Sequence, residues 1–405
     1  MPDVSASPIP RLVGARALNS FGRAVLSATV LWELYDRTSS KLVLSAVGLV
    51  QVLPVVLLFV PVGNLVDRSD RRTLTTLAAG LAGLVGLGLA TASVLEAPVA
   101  VYLLLLLGYG CITAVHAPAS VSLIPLIIPR QDLERTNRLS SSLQEVASIT
   151  GPALAGLALS VVVPAAVYAA IAVTGLASAA LYRSLPKPRT VEQGAGAARR
   201  DWRVGLRFIF RSQLLLSALT LDMFAVLFAG VTALLPVVAS DILHVGPAGF
   251  GALRAAQSLG AVASAIICGR LRPWRRPGRA LLIVVALFGA CTIGFGLSTS
   301  FPLSLVLLVA CGALDNISVV IRLTLEQMVV PDEIRGRVSA VHYVFIGMSN
   351  ELGMAESGAA AWLIGTAPAI VAGGAIAMFV VGVVAVKWRE LAAMPPLSEL
   401  KPLDV

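Results

Sequence analysis

"GNLVDRSDRR", residues 63–72, places two aspartates and three arginines in ten residues, between two long apolar runs. Charge this dense is out of keeping with the rest of the chain. Of 405 residues, 57% are hydrophobic and 13% are charged, against about 25% charged in a soluble domain. So much apolar surface exceeds what one water-surrounded core needs, and the bilayer is the solvent that the composition implies. A hydrophilic knot between apolar runs is then a loop at a membrane face.

Working outward from that loop, a membrane span needs about 20 mostly apolar residues. Twelve such stretches are predicted, at 12–35, 42–62, 73–95, 98–118, 141–163, 165–183, 213–239, 248–268, 280–297, 302–323, 339–363 and 367–387. No short apolar region with a small-residue cleavage site follows the start, so the first apolar segment is expected to stay and direct insertion. The stretch 184–212, with "PKPRTVEQGAGAARRDWR", is rich in Pro, Gly and Arg and reads as a linker. The expected organisation is a six-helix half over 1–183, a cytoplasmic linker over 184–212, a second six-helix half over 213–387 and a cytoplasmic tail over 388–405. Within the linker, Arg200, Arg203, Arg207 and Arg211 recur at helical spacing beside Trp202, Phe208 and Phe210. That pattern suits a short amphipathic helix on the membrane surface, with a plain solvated linker as the alternative.

Orientation follows from Lys and Arg. The loops at 63–72, 119–140, 184–212, 269–279 and 324–338 hold nearly all the arginines outside the spans, while the outer loops hold Arg37 and Lys41. Both termini are therefore expected on the cytoplasmic side of an inner membrane. The same placement explains the net charge of +9 without nucleic acid, because the positive charge lines one membrane face. Cys111, Cys268, Cys291 and Cys311 all lie in or at the edge of apolar runs. They read as small packing residues, and no metal or cofactor is expected.

The halves match each other at an offset near 203 residues. Leu18-Asn19-Ser20-Phe21 faces Leu221-Asp222-Met223-Phe224, and Gly48 and Gln51 face Gly251 and Arg254. Gly63-x-Leu65 faces Gly269-x-Leu271, and Pro129 faces Pro331. Parallel repeats about an axis normal to the membrane are a transporter pattern, with the substrate site expected where the halves meet.

Gly63, Leu65, Asp67, Arg68, Arg71 and Arg72 fit Gly-x-Leu-x-Asp-Arg-x-Gly-Arg-Arg, and here the sequence resembles the major facilitator superfamily. Asp70 stands where the general pattern has Gly, which leaves the usual tight turn open. Gly151-Pro152-Ala153-Leu154-Ala155-Gly156 resembles that superfamily's antiporter motif, with Ala155 in place of a Gly. "QVLPVVLLFVPVGNLVDRSDRR", "GALDNISVVIR" and "RGRVSAVHYVFIGMSNELGMAESG" are similar to the enterobactin-exporter-like branch of bacterial proton antiporters. The resemblance implies an all-α membrane protein of twelve transmembrane helices in two pseudo-twofold-related six-helix halves. It also implies that spans 1, 4, 7 and 10 line a central cavity. Asp67 would then meet the start of the eleventh span, near Ser339, where orphan N–H groups favour an anion by about 0.3–1 kcal/mol. Topological charge with no gating role is the alternative reading of the same loop.

An ionisable group inside a span is costly and faces a cavity or a partner. Asp222 lies in the seventh span; Arg23 lies in the first, with Asn19 and Ser27 on the same face. Arg254 is in the eighth span, and Asp315 and Arg322 share a face of the tenth. Asn350, Glu351 and Glu356 are in the eleventh, the two glutamates pointing about 140° apart. Burial disfavours a charged carboxylate and a nearby arginine favours it. Asp222 is therefore the expected proton carrier, its charge switched by movement of Arg23 or Arg254, with Asp315 and Glu356 as further candidates. A fixed ion pair that sets helix register is the alternative. Asn19, Arg23, Gln51, Arg254, Arg322 and Asn350 are the expected cavity residues and charge partners, beside Trp32, Phe21, Phe224, Phe228, Met223 and Tyr343. Glu33 and Asp36 are expected in solvent at the outer surface, and His116 in a structural role.

The function expected is secondary active export of amphipathic, siderophore- or drug-like small molecules by proton antiport, from a monomer. An importer or lysophospholipid flippase on the same fold, and a non-transporting receptor, are the alternatives. An enzyme is disfavoured: no HExxH, no GxSxG elbow and no nucleotide-binding glycine loop after a strand is present.

Overall fold

The computed structural model describes residues 7–188, 202–269, 274–396 and 399–400. Among these residues every regular element is helical. Among the described residues, nine stretches are long and apolar enough to cross a membrane. They lie on α2 (Lys41–Arg68), α3 (Arg71–Val94), α4 (Val99–Ile127), α6 (Pro164–Arg183), α8 with its continuation (Gln213–Ile242), α10 (Gly246–Cys268), α11 (Pro277–Leu297), α12 (Phe301–Val329) and α14 (Thr366–Lys387). Three more long helices carry more charge: α1 (Pro8–Thr38), α5 (Leu133–Leu159) and α13 (Asp332–Ile364). The short helices are α7 (Trp202–Arg211), α9 (Leu235–Val237) and α15 (Arg389–Ala393).

The helix surfaces are inverted relative to a soluble protein. Leu57, Leu104, Leu157, Leu363 and Phe379 stand exposed, while Thr29, Ser178, Asp222, Arg322 and His342 are buried. Exposed leucine in rows along a helix is stable only against lipid. Prolines Pro54, Pro61, Pro118, Pro125 and Pro152 sit inside helices, as membrane helices tolerate.

The helices run further than hydropathy predicts. The expected loop at 119–140 reduces to Ile128–Asp132 between α4 and α5, and that at 324–338 to Val330–Pro331 between α12 and α13. The charged knot at 63–72 is mostly helix, with only Ser69 and Asp70 between α2 and α3. The backbone keeps its helical hydrogen bonds through these charged ends. The expected seventh span is interrupted: α8 ends at Ala229, Gly230 is extended, and the chain resumes as a 3-10 turn, α9 and a π turn at Val238–Ile242. Ser357 on α13 donates to the freed Gly230 carbonyl at 3.0 Å.

Contacts divide the chain into two compact units. One comprises Met1–Ser39, Val50–Glu192 and Gly246–Ala255; the other comprises Ser40–Leu49, Gln193–Val245 and Ala256–Val405. In the first unit α3 packs on α6 where a methyl at Gly175 would meet the Gly83 Cα at 2.7 Å. Its inner core gathers Leu12, Leu123, Ile124, Ile127 and Tyr182. In the second, α7 lies against α13, where a methyl at Gly205 would meet the Arg337 carbonyl at 2.7 Å. Phe208 and Ile209 are buried with Val338 and Val341. The apolar side of this helix that carries Phe208 and Ile209 covers protein, and Phe210 is exposed. Arg200 and the side chains of Trp202 and Arg203 lie outside the described residues.

Candidate functional site: buried charges in two helical units

In the second unit, α8 and α12 each supply one buried charge. Asp222 is 6% exposed and Arg322 is 3% exposed, and they form an ion pair. Ser318, one turn before Arg322 on α12, braces the guanidinium: Nε donates to its carbonyl at 3.3 Å and to its Oγ at 3.2 Å. The sequence assigned the switching arginine to Arg23 or Arg254; the guanidinium on Asp222 is that of Arg322. Asp315 sits half-buried on α12 beside Asn316, whose amide donates to Ser264 of α10 at 2.9 Å. Glu356 is half-buried on α13, next to the serine that holds the Gly230 carbonyl. Asn350 is exposed on α13. Phe224 and Phe228 stack at 6.0 Å along α8, and the side chain of Tyr343 lies outside the described residues.

A second charged pair lies one turn along. Glu326, on α12, contacts His342 of α13 and accepts a hydrogen bond from Ser339. Both residues are buried, at 6% and 3% exposure. Glu326 falls in 324–338, which the sequence reads as a loop, and His342, inside the expected eleventh span, was not singled out. The signal present was the spacing of Arg322 and Glu326, which puts them on one face once α12 is known to continue.

In the first unit, Arg23 is exposed and Asn19 and Gln51 are half-buried. Arg254, on the α10 segment that packs in this unit, donates to Ser27 of α1 at 2.9 Å, and Trp32 meets Phe250 at 5.5 Å between ring centroids. His116 packs edge-on to Tyr182, beside Arg16, which donates to Ser120 at 2.8 Å. The expectation for Glu33 is overturned. It is 3% exposed, accepts hydrogen bonds from Ser93 and Tyr102 at 2.7 and 2.9 Å, and pairs with Arg37 at 3.7 Å. Side chains of α3 and α4 close over it on α1, so its place near the end of an apolar run did not mean solvent.

Residues 12–354 match the profile of the Major Facilitator Superfamily. The chain belongs to that superfamily. It is a multi-pass membrane protein, with its apolar helices as that superfamily's fold requires. Macrolide efflux protein A of Streptococcus pyogenes is 32% identical over 147 residues, which is 36% of this chain and 36% of that protein. The chain therefore matches about a third of that relative's length. Enterobactin exporter EntS of Shigella dysenteriae serotype 1 (strain Sd197) is 28% identical over 283 residues, 69% of this chain and 67% of that protein. Among solved structures, a bacterial homolog to the human lysosomal transporter Spinster superposes with a TM-score of 0.75 at 15% identity, over 95% of this chain and 98% of that one. The nucleoside transporter NupG gives 0.72 at 11% identity, over 94% and 99%. At these identities the likeness shows the fold, which is that of the superfamily.

Two superfamily motifs can now be placed. In the first, Asp70 is the N-cap of α3: its carboxylate accepts from the Arg72 N–H at 3.0 Å and the Thr73 hydroxyl at 2.8 Å. The departure from the superfamily's Gly thus supplies a cap. Arg72 also donates to the Arg183 carbonyl, tying α3 to the end of α6. Gly63 and Arg68 lie on α2 and Arg71 opens α3; the side chain of Asp67 lies outside the described residues. In the second, Gly151 and Gly156, five residues apart, face different neighbours of α5, and Pro152 shares the side of Gly156. A methyl at Gly151 would meet the Ala24 Cβ at 2.7 Å, and one at Gly156 would meet the Gly251 Cα at 2.6 Å. Only glycine admits α1 and α10 this closely.

Proposed function

We propose that the protein exports amphipathic small molecules in exchange for protons, with Asp222 as the proton carrier and Arg322 as its counter-charge. The observation that carries this reading is the buried Asp222–Arg322 pair. A carboxylate held by a guanidinium favours its charged form; separated from it in the same apolar surroundings it favours the neutral one. Any conformational step that parts the two therefore takes up a proton, and the reverse step expels it. Alternating access supplies such steps. The break in the seventh span at Gly230 supports the reading, because discontinuous helices in transporters expose backbone groups near the substrate. Efflux proteins among the relatives support the direction.

Asp315 and Glu356 are further proton sites in this scheme. Asn19, Arg23, Gln51, Arg254 and Asn350 serve as substrate contacts or charge partners. Asp67, with Gly63, Arg68, Arg71 and Arg72, latches the inner side against the start of the eleventh span. The arginine-rich loops stay in the cytoplasm with both termini, and the halves 1–183 and 213–387 flank the 184–212 linker of a monomer in the inner membrane. A macrolide or enterobactin as substrate is in keeping with the names of the relatives.

The experiment is transport in proteoliposomes with an imposed pH gradient, using labelled erythromycin and labelled enterobactin. Accumulation against the substrate gradient, abolished by a protonophore, is the expected result. Accumulation indifferent to the pH gradient removes the antiport reading.

A further inference from the structure

The two charged pairs on α12 share one helix face. Asp315, Ser318, Arg322 and Glu326 follow at intervals of three, four and four residues, the spacing of a single helical stripe. Arg322 and Glu326, one turn apart, have Cβ atoms about 6 Å from each other. Arg322 is thus within reach of two carboxylates, Asp222 across on α8 and Glu326 along its own helix. In the structure it sits on Asp222, and Glu326 is instead satisfied by His342 and Ser339 of α13.

We infer that Glu326 and His342 are positioning residues for the proton site: His342 decides which of two carboxylates, Asp222 or Glu326, holds the Arg322 guanidinium. This rests on the reading of Asp222 as the carrier. The charges dictate the logic. With His342 as imidazolium, Glu326 is neutralised in place and Arg322 stays on Asp222, keeping it a carboxylate. When His342 loses its proton to water, Glu326 carries an uncompensated buried charge. An unpaired buried charge is expensive, and Arg322 is the nearest cation on the same stripe. Drawn to Glu326, it leaves Asp222 free to take up a proton from water. Protons are conserved: one leaves His342 and one enters Asp222.

Arg335, Arg279 and Lys387, the cations of the neighbouring elements, have engagements of their own. Arg335 of α13 donates to the carbonyls of Gln327 and Val330. Arg279 of α11 donates to the Ala392 carbonyl, and Lys387 at the end of α14 lies over Trp388. Arg207 and Arg211 belong to α7, and Arg337 to the base of α13 where α7 packs. Asp315 stands three turns further along α12, Glu351 more than two turns along α13, and the side chains of Asp332 and Glu333 lie outside the described residues.

The test follows Asp222 itself and needs no substrate. Infrared difference spectra of the purified full chain are recorded across the range in which carboxylic acids and imidazoles titrate. The Asp222 carboxyl band is assigned by its loss in Asp222→Asn. In Glu326→Gln the competitor is gone, Arg322 stays on Asp222, and the band's midpoint moves to lower pH by roughly one unit or more. In His342→Gln, Glu326 is never neutralised, Arg322 is drawn away, and the midpoint moves to higher pH. A direct effect of the two charges on Asp222 gives the same signs, so both variants are repeated in an Arg322→Gln background. There both displacements vanish if Arg322 is the messenger and persist if it is not. An unmoved midpoint in the single variants, shifts of the same sign, persistence without Arg322, or an Asp222 band that never titrates each overturns the inference. Failure of the antiport reading shows separately, as wild-type flux indifferent to a pH gradient.

Discussion

Asp222 on α8 and Arg322 on α12 form a buried ion pair that ties two helices of one unit together, with Ser318 bracing the guanidinium from one turn away. Neither charge has a reason to be in an apolar bundle except the other, together with whatever parts them.

That mutual dependence predicts an asymmetric pair of variants. Asp222→Asn strands a buried guanidinium, a loss of about 3–5 kcal/mol in comparable buried pairs. The purified variant is expected to melt several degrees lower and to lose proton-driven accumulation, while counterflow at equal pH continues. Adding Arg322→Gln removes the stranded charge, so the double variant recovers most of the melting temperature and none of the coupling. Thermal melts in detergent alongside proteoliposome transport check both halves. A double variant no more stable than the single one rules out this account of the pair.

Glycines in the two motifs are predicted to behave oppositely. At Gly156 a methyl would press on the Gly251 backbone at 2.6 Å, whereas at Gly63 no atom lies within 4 Å. Gly156→Ala forces α5 and α10 apart, at a cost typical of overpacking, about 1–3 kcal/mol. Gly63→Ala has open space and gains helix propensity of up to about 1 kcal/mol. Melting temperatures of the two variants should move in opposite directions; a destabilised Gly63→Ala contradicts the placement of α2.

How far the sequence carries can be judged from these residues. Hydropathy is enough for an all-helical membrane fold, because the bilayer imposes one simple rule on every span. The repeat offset also pairs Gly48 with Gly251, and both are close-crossing glycines: a methyl at Gly48 would meet the Ala355 N at 2.7 Å on α13. Partner choice was not legible. Arg322 reaches Asp222 through a helix crossing that no one-dimensional spacing encodes. Glu326 was hidden by a polar stretch that hydropathy reads as loop but that stays helical, and His342 gave no signal without its partner. Glu33 looked solvated because its burial comes from α3 and α4, remote in sequence.

The cap at Asp70 gives a sharper local test. Its carboxylate holds the Arg72 N–H and the Thr73 hydroxyl. Asp70→Ala is expected to cost about 1 kcal/mol, and Asp70→Gly, which restores the superfamily pattern, only a few tenths. Asp70→Asn keeps an oxygen acceptor and should match the parent. Chemical denaturation of the three variants ranks them; equal loss in Asn and Ala removes the cap from the explanation.

The Glu33 cluster separates a structural carboxylate from a carrier. Its oxygen accepts from Ser93 and Tyr102, and Arg37 donates to the same tyrosine at 2.7 Å. Hydrogen bonds to a charged group contribute about 1.5–3 kcal/mol each, while the Arg37 pairing adds less, since that side chain is 29% exposed and screened. Glu33→Gln keeps the shape and an acceptor but loses the charge, so the melting temperature should fall. Tyr102→Phe should cause a comparable fall, because it leaves both Glu33 and Arg37 short of a partner. The number of protons exchanged per substrate should stay unchanged in both variants, because the proposed carrier lies on α8. Measuring that ratio in proteoliposomes decides between the two carboxylates. If Glu33→Gln keeps its melting temperature and loses proton coupling, the carrier is on α1 and Asp222 is the structural acid.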